Sequence, residues 1–217
     1  MTNLQRNLAN LNAFWLAFAN TQENGVQRHI AWPNKVWQSD FKTLDETSWQ
    51  GNVCVTTLPT VLQKKNISNS LIAMTLQTSK LSGSKSESIE IISTLEQLKK
   101  WALTCAEAFG YEIDYRALEP LLTNSDAKIF AFIDQGKIAG TAIAYISNGT
   151  LGIHQVGVPA CNQGKGIGKA LMQHLLWFAG QQNCDLISLQ ASQAGLPMYL
   201  AMGFTEQGTC YHLKQSN

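Results

Sequence analysis

Gln163-Gly164-Lys165-Gly166-Ile167-Gly168-Lys169 sets three glycines at alternate positions, between a β-branched run and an amphipathic one. Glycines let a backbone come close to a partner. A helix start carries unpaired N–H groups and the positive end of the helix dipole. The chemistry this points to is anion binding, with phosphate the usual anion. Three phosphate-binding patterns compete. The nucleoside-triphosphate loop needs two glycines with four residues between them, then Lys and Ser or Thr. Here Gln163 stands where the first glycine belongs and Ala170 follows Gly168-Lys169, so that pattern fails. The dinucleotide fingerprint G-x-G-x-x-G fails on spacing, and no acidic residue closes a second strand about 20 positions on. The pattern Q/R-x-x-G-x-G/A fits Gln163 to Gly168.

A second motif follows about thirty residues later: Gly195-Leu-Pro-Met-Tyr199-Leu-Ala-Met-Gly203-Phe204, with the strand-like run Asp185 to Ala191 between the two. Together they resemble the GCN5-related N-acetyltransferases, the GNAT superfamily. The resemblance covers roughly Ile89 to Leu213 and leaves the first part of the chain unexplained. It implies an α/β fold with a mixed, mostly antiparallel central sheet and helices on both faces, preceded by a smaller α/β segment. It also implies that acetyl-CoA is the co-substrate. Its pyrophosphate would meet the backbone of Gln163, Gly164, Lys165, Gly166, Ile167, Gly168 and Lys169, with the two lysines adding charge. Main-chain groups of Val156, Gly157 and Val158 would pair with the pantetheine arm, and one N–H there would stabilise the oxyanion.

Acetyl transfer to an amine needs an aligned cofactor, a deprotonated amine, a stabilised oxyanion and a stabilised thiolate. Tyr199 matches the family tyrosine near the coenzyme sulfur. A phenol of pKa about 10 can protonate a thiolate. Its alternative role is to pack the short helix. Some members carry a Glu on the strand before the loop, and Gly152 occupies that place. Others carry a His there, and His154 matches, so it is the expected base, with a core histidine as the alternative. His29 and His174 are weaker candidates, and His174 is expected on an exposed helix face. Cys161 has no neighbouring His in sequence and the family transfers directly, so an acyl-cysteine step is not expected.

The elements that must position these groups follow from periodicity. Leu4, Leu8, Leu11, Trp15 and Phe18 recur at helical spacing, ending near Asn20. Val26–Trp32, Val53–Leu58 and Leu71–Thr78 read as strands. Four of six tryptophans lie in the first fifty residues, and they form either a small core or an acceptor wall. Ser79 to Ser88 is rich in Ser, Gly and charge and reads as a linker. The boundary is placed there, giving 1–85 as an N-terminal α/β segment (a degenerate lobe or acceptor lid) and 86–217 as the transferase domain. In the latter, Ile89–Ile92 reads as a strand and Ser93-Thr-Leu-Glu96 has capping-box spacing. The helix that follows carries Leu95, Leu98, Ala102, Cys105 and Phe109 on one side. Asp114 caps a second helix. Lys128–Ile133 and Ile138–Ile146 form a hairpin, and Asn148-Gly149 turns into Leu151–Val158. A helix, the strand 185–191, a short helix and two short strands complete the order.

Composition narrows the function. The formal net charge is +1 over 217 residues, which suggests neither nucleic acid nor an acidic membrane surface as partner. The five cysteines are scattered, with no C-x-x-C and no zinc spacing, as in a reduced cytoplasmic protein without a metal. Leu11 to Ala19 is interrupted by Asn12 and preceded by one basic residue, so a signal peptide is not expected. No run is long enough to span a membrane. The expected function is N-acetylation of a primary amine of a small molecule or amino-acid-like metabolite by direct attack. The alternatives are an acetyl-CoA-binding regulatory module with little turnover, and a protein-lysine acetyltransferase. A homodimer is compatible with the sequence.

Overall fold

The computed structural model describes all residues except 50, 62, 81–82 and 216–217. In chain order it contains α1 (Asn3–Leu16), β1 (Asn20–Glu23), β2 (Val26–His29), β3 (Lys35–Gln38), β4 (Val53–Thr56), β5 (Ile67–Gln77), β6 (Ile89–Ile91), α2 (Leu95–Phe109), α3 (Tyr115–Leu118), β7 (Ala127–Asp134), β8 (Lys137–Ser147), β9 (Thr150–Gly157), α4 (Ile167–Gln181), β10 (Leu186–Ala191), α5 (Leu196–Ala201) and β11 (Thr205–Leu213). The fold is α/β and its strand pairings are mostly antiparallel.

Contacts divide the chain into two compact units: Met1–Thr75 with Leu189–Asn217, and Leu76–Ser188. This partition differs from the 1–85 and 86–217 division placed at the linker-like stretch, because the C-terminal residues from Leu189 group with the N-terminal ones.

In the first unit the strands run β1-β2-β3-β4-β11-β5. Only the β3–β4 pair is parallel among these. A capping box between Thr2 and Gln5 starts α1. Its inner face buries Leu8, Leu11, Phe14 and Trp15. The Trp15 ring meets Trp37 edge-on at 5.0 Å and Phe41 at 5.5 Å. The Trp37 indole donates to Asn12 Oδ1 at 2.8 Å. Trp49 is fully buried with Val36, Leu44, Cys54 and Leu213. Three of the four early tryptophans thus build a core. The helix stops at Leu16, short of Asn20, because the chain turns there into the β1–β2 hairpin. The C-terminal residues form one long strand instead of two short ones. The polar Gln207-Gly208 break is absorbed as a bulge between Glu206 and Gly208.

In the second unit the order is β10-β9-β8-β7-β6. The β7–β8 and β8–β9 turns hold Gln135-Gly136 and Asn148-Gly149 at positive φ, the pattern of tight hairpin turns. The capping box of α2 is Thr94 with Gln97, one residue later than Ser93 with Glu96. Both pairs fit the spacing, and the reciprocal bonds form at the later one: the Gln97 N–H donates to Thr94 Oγ1 at 3.2 Å and the Thr94 N–H to Gln97 Oε1 at 3.1 Å, ahead of an inward face of Leu98, Trp101, Ala102 and Cys105. Leu95 and Phe109, expected on that side, are more than a third exposed. Two adjacent residues of β8 show how the helices flank the sheet. A Cβ on Gly140 would meet Ile167 and Leu171 of α4, while the Thr141 hydroxyl reaches Cys105 of α2. Neighbouring strand residues point to opposite faces, so α2 and α4 cover opposite faces of this sheet.

Part of the stretch read as a linker is held against α4. The Ser84 N–H donates to Gln173 O at 3.2 Å, and the Ser86 N–H donates to His174 Nδ1 at 3.1 Å. A Cβ on Gly83 would come 2.2 Å from the Trp177 main-chain nitrogen, so only glycine fits this crossing.

Candidate active site

The glycine motif is where the sheet of the second unit hands the chain to α4. Strand β9 does not reach it in regular pairing. Thr141 pairs with Gly157 while Ile143 pairs with His154, so β9 carries one extra residue opposite β8. The bulge centres on Gln155, whose φ of +52° lies in the left-handed region. Beyond it Gly157 is packed tightly: a Cβ there would sit 2.9 Å from both Ala108 Cβ and Phe109 Cε2. Close approach of α2 therefore requires glycine at the end of β9.

After Pro159 a single turn, Ala160–Asn162, redirects the chain. The Gln163 side chain folds back and donates from Nε2 to Val158 O at 3.1 Å, tying the loop to the strand end. Gly164 and Gly166 have φ of +77° and +78°, and a Cβ on either would meet nothing within 4 Å. Backbone conformation, not crowding, selects glycine at both positions. Gly166 is the N-cap of α4, and no side chain caps the helix. Its first amides thus face an exposed loop, in the arrangement that suits an anion. The residues present fit a pyrophosphate.

The lysines differ. Lys165 Nζ bonds Asn162 Oδ1 at 2.9 Å and lies 3.7 Å from Asp134 Oδ2 at the β7–β8 turn. Part of its charge is already balanced by that carboxylate. Lys169 is exposed on the first turn of α4. Ile167 is buried under the same turn and anchors the helix start against Gly140.

His154 is buried on β9 opposite Ile143. Desolvation pushes its pKa down from 6.5 to about 3, so the ring is neutral at physiological pH and weakly basic. Gly152, at the family's Glu position, is buried on the same strand. Tyr199 belongs to the first unit, on α5, and is 8% exposed. Its ring packs edge-on against Phe204 at 5.8 Å, and Gly195 makes room for it, since a Cβ there would lie 3.0 Å from Cε2. Burial pushes the phenol up to about 12, which keeps it protonated.

The lesser candidates sort out by burial. His29 is inside the tryptophan core, bonded to Trp15 O and the Lys35 N–H, with a pKa pushed down to about 4. His174, expected to be exposed, is only 4% exposed and lies against Phe130 and Trp177. It faces inward because it receives the 83–86 segment. Cys161 is exposed on the loop.

A polar cluster absent from the sequence reading underlies the bulge. The Thr141 hydroxyl donates to Gln155 O at 3.0 Å. The Cys105 thiol donates to Gln155 Oε1 at 3.5 Å. The Tyr111 hydroxyl also hydrogen-bonds the Gln155 side chain. Polar residues at inward positions of otherwise apolar elements were the only available signal. Among the described residues no group of three or more His, Cys, Asp or Glu is placed to hold a metal ion. No described helix is long and apolar enough to cross a membrane.

Comparison with known proteins agrees with this anatomy. The family model described as "Acetyltransferase (GNAT) family" matches residues 95–204, or 110 of the 217 residues. No curated protein matches the sequence. Among solved structures, a GCN5-related N-acetyltransferase from Kribbella flavida has a TM-score of 0.67 at 13% identity, covering 97% of this chain and 96% of that one. A protein assigned to the GNAT family from Novosphingobium aromaticivorans has a TM-score of 0.68 at 11% identity, with both chains covered completely. At such identities the likeness is one of fold. It extends through the N-terminal residues that the sequence motifs leave unexplained.

Proposed function

We propose that this chain, which belongs to the acetyltransferase (GNAT) family and is an acyltransferase, moves an acetyl group from acetyl-CoA to a primary amine of a small molecule. The observation that carries the coenzyme assignment is the turn through Gly164 and Gly166, both left-handed, opening onto the uncapped start of α4. Acetyl-CoA supplies the activated thioester. The amides from Gly164 to Lys169 bind its pyrophosphate, and Gln163 keeps the loop on the strand end. Main-chain groups of Val156, Gly157 and Val158 hold the pantetheine arm. One N–H of this stretch donates to the acyl oxygen as negative charge builds there. The amine attacks directly while both substrates are bound. Tyr199 donates its proton to the departing thiolate.

His154 takes the amine proton in this reading, through water, and its burial makes it a weak base. Residues 86–217 carry the transferase machinery, and 1–85 is a degenerate lobe of the same fold or an acceptor lid. A cytoplasmic location belongs to the same proposal and rests on cysteine usage.

A second reading, an acetyl-CoA-binding module with little turnover, is favoured by Gly152 at the acidic position and by the buried His154. The two separate in an amine screen followed by release of free thiol from acetyl-CoA. Acetylation of one or more small amines supports the first. Coenzyme binding without turnover across a broad panel, and without labelling of protein lysines, supports the second.

A further inference from the structure

We propose that Gln155 is a positioning residue: its side chain braces the β9 bulge against α2 and Tyr111, and so fixes the main-chain donors that read the thioester. This rests on the coenzyme assignment above.

Three observations carry it. Gln155 adopts φ +52°, a conformation that L-residues with long side chains rarely hold, and so needs outside support. That support comes from three separate elements. Cys105 of α2 donates to Oε1 at 3.5 Å, Thr141 of β8 donates to the main-chain oxygen at 3.0 Å, and the Tyr111 hydroxyl engages the side-chain amide. The braced residue also immediately precedes Val156, Gly157 and Val158. Gly157 is closely packed against Ala108 and Phe109, so the strand end has little freedom except through the bulge. The Gln155 amide offers both an acceptor oxygen and two N–H donors, so one side chain can meet the thiol and the Tyr111 oxygen together. A shorter side chain cannot span both.

The chemical consequence is selective. The pyrophosphate loop begins eight residues after the brace and has its own tie through Gln163. Loosening the bulge therefore impairs recognition of the acyl oxygen more than binding of the coenzyme as a whole. Small misplacements of such donors carry large penalties.

The experiment compares wild type with Gln155→Ala and Gln155→Gly, using calorimetric titration with acetyl-CoA and with CoA, and amide hydrogen exchange at 156–158 without ligand. Gln155→Gly removes the brace and also the positive-φ constraint, so it serves if the alanine variant folds poorly. We expect wild type to prefer acetyl-CoA over CoA by roughly fivefold, the value of about one hydrogen bond. Both variants should lose that preference, keep CoA affinity within about twofold, and exchange the 156–158 amides about tenfold faster. A wild type that binds both coenzymes equally overturns the inference. So do variants with unchanged preference and unchanged exchange. If wild type binds neither coenzyme, the functional proposal has failed, and unchanged exchange in the variants then overturns the brace as well.

Discussion

The Thr141 hydroxyl on β8 donates to the Gln155 carbonyl on β9 at 3.0 Å, and lies 3.4 Å from the Gly157 carbonyl, bridging both ends of the bulge. Thr141 is fully buried. Thr141→Val keeps the shape and removes the donor. It should destabilise the protein by about 1–3 kcal/mol, the range for leaving a buried acceptor unsatisfied. Thr141→Ser should restore most of the loss. Urea unfolding of the three proteins checks this, and equal stability of the valine variant would contradict the role given to the hydroxyl.

Two glycines should respond in opposite ways. Gly83→Ala drives a methyl into the α4 backbone at Trp177, and should lower stability by about 1–3 kcal/mol while coenzyme binding persists. Gly166→Glu meets no neighbouring atom but strains a left-handed position, so it should cost about 1–2 kcal/mol while leaving the protein folded. It brings a negative charge to the expected pyrophosphate site, so acetyl-CoA affinity should fall by roughly tenfold or more. Thermal melts and calorimetry on both variants separate packing from binding.

Tyr199→Phe should preserve coenzyme affinity and lower turnover by about 10²-fold or more, as expected on losing a general acid. Because burial holds the phenol near 12, no loss of activity from its ionisation is expected between pH 7 and 9. Turnover of the phenylalanine variant equal to wild type would assign Tyr199 to packing against Phe204 alone.

Acid should destabilise the fold well before carboxylates titrate. The folded pKa values of His29 and His154 are depressed, to about 4 and about 3, from an unfolded value of 6.5. Both rings are neutral when folded, so their stabilisation is complete above pH 6.5 and is lost as pH falls from there toward the folded values. At pH 5 each histidine should have given up about 2 kcal/mol. Burial also holds His212 at about 3 and lowers His174, so urea unfolding at pH 7 and pH 5 measures the sum over all four histidines, and His154→Gln should reduce the difference by about a third or less. If His154 has a folded pKa near 6.5 by NMR titration, the burial argument is wrong and a stronger base is available to the reaction.

The glycine turn and the order of elements in the transferase region were legible because each depends on local chemistry. Left-handed backbone asks for Gly164 and Gly166, and helix and strand periods expose the elements between the motifs. What stayed hidden depends on neighbours far along the chain. Gln155 looks like any polar strand residue until Cys105, Tyr111 and Thr141 surround it. His174 sits at a position that reads as exposed until residues 83–86 cross over it. Gly83 looked like linker flexibility because the α4 backbone it touches lies over ninety residues away. Thr94 and Ser93 are equivalent as caps by spacing, and only the Thr94–Gln97 pair closes the reciprocal hydrogen bonds. The tryptophan-rich start could be read as core or as acceptor wall, and packing around Trp15, Trp37 and Trp49 makes it core at those three positions.

Calorimetric titration of the purified protein with acetyl-CoA, with CoA as the control ligand, tests the central claim most directly. The glycine turn before α4 predicts saturable binding with a micromolar dissociation constant for both, because both carry the pyrophosphate. A well-folded sample that binds neither would contradict the coenzyme site and leave the turn as a packing feature of the fold.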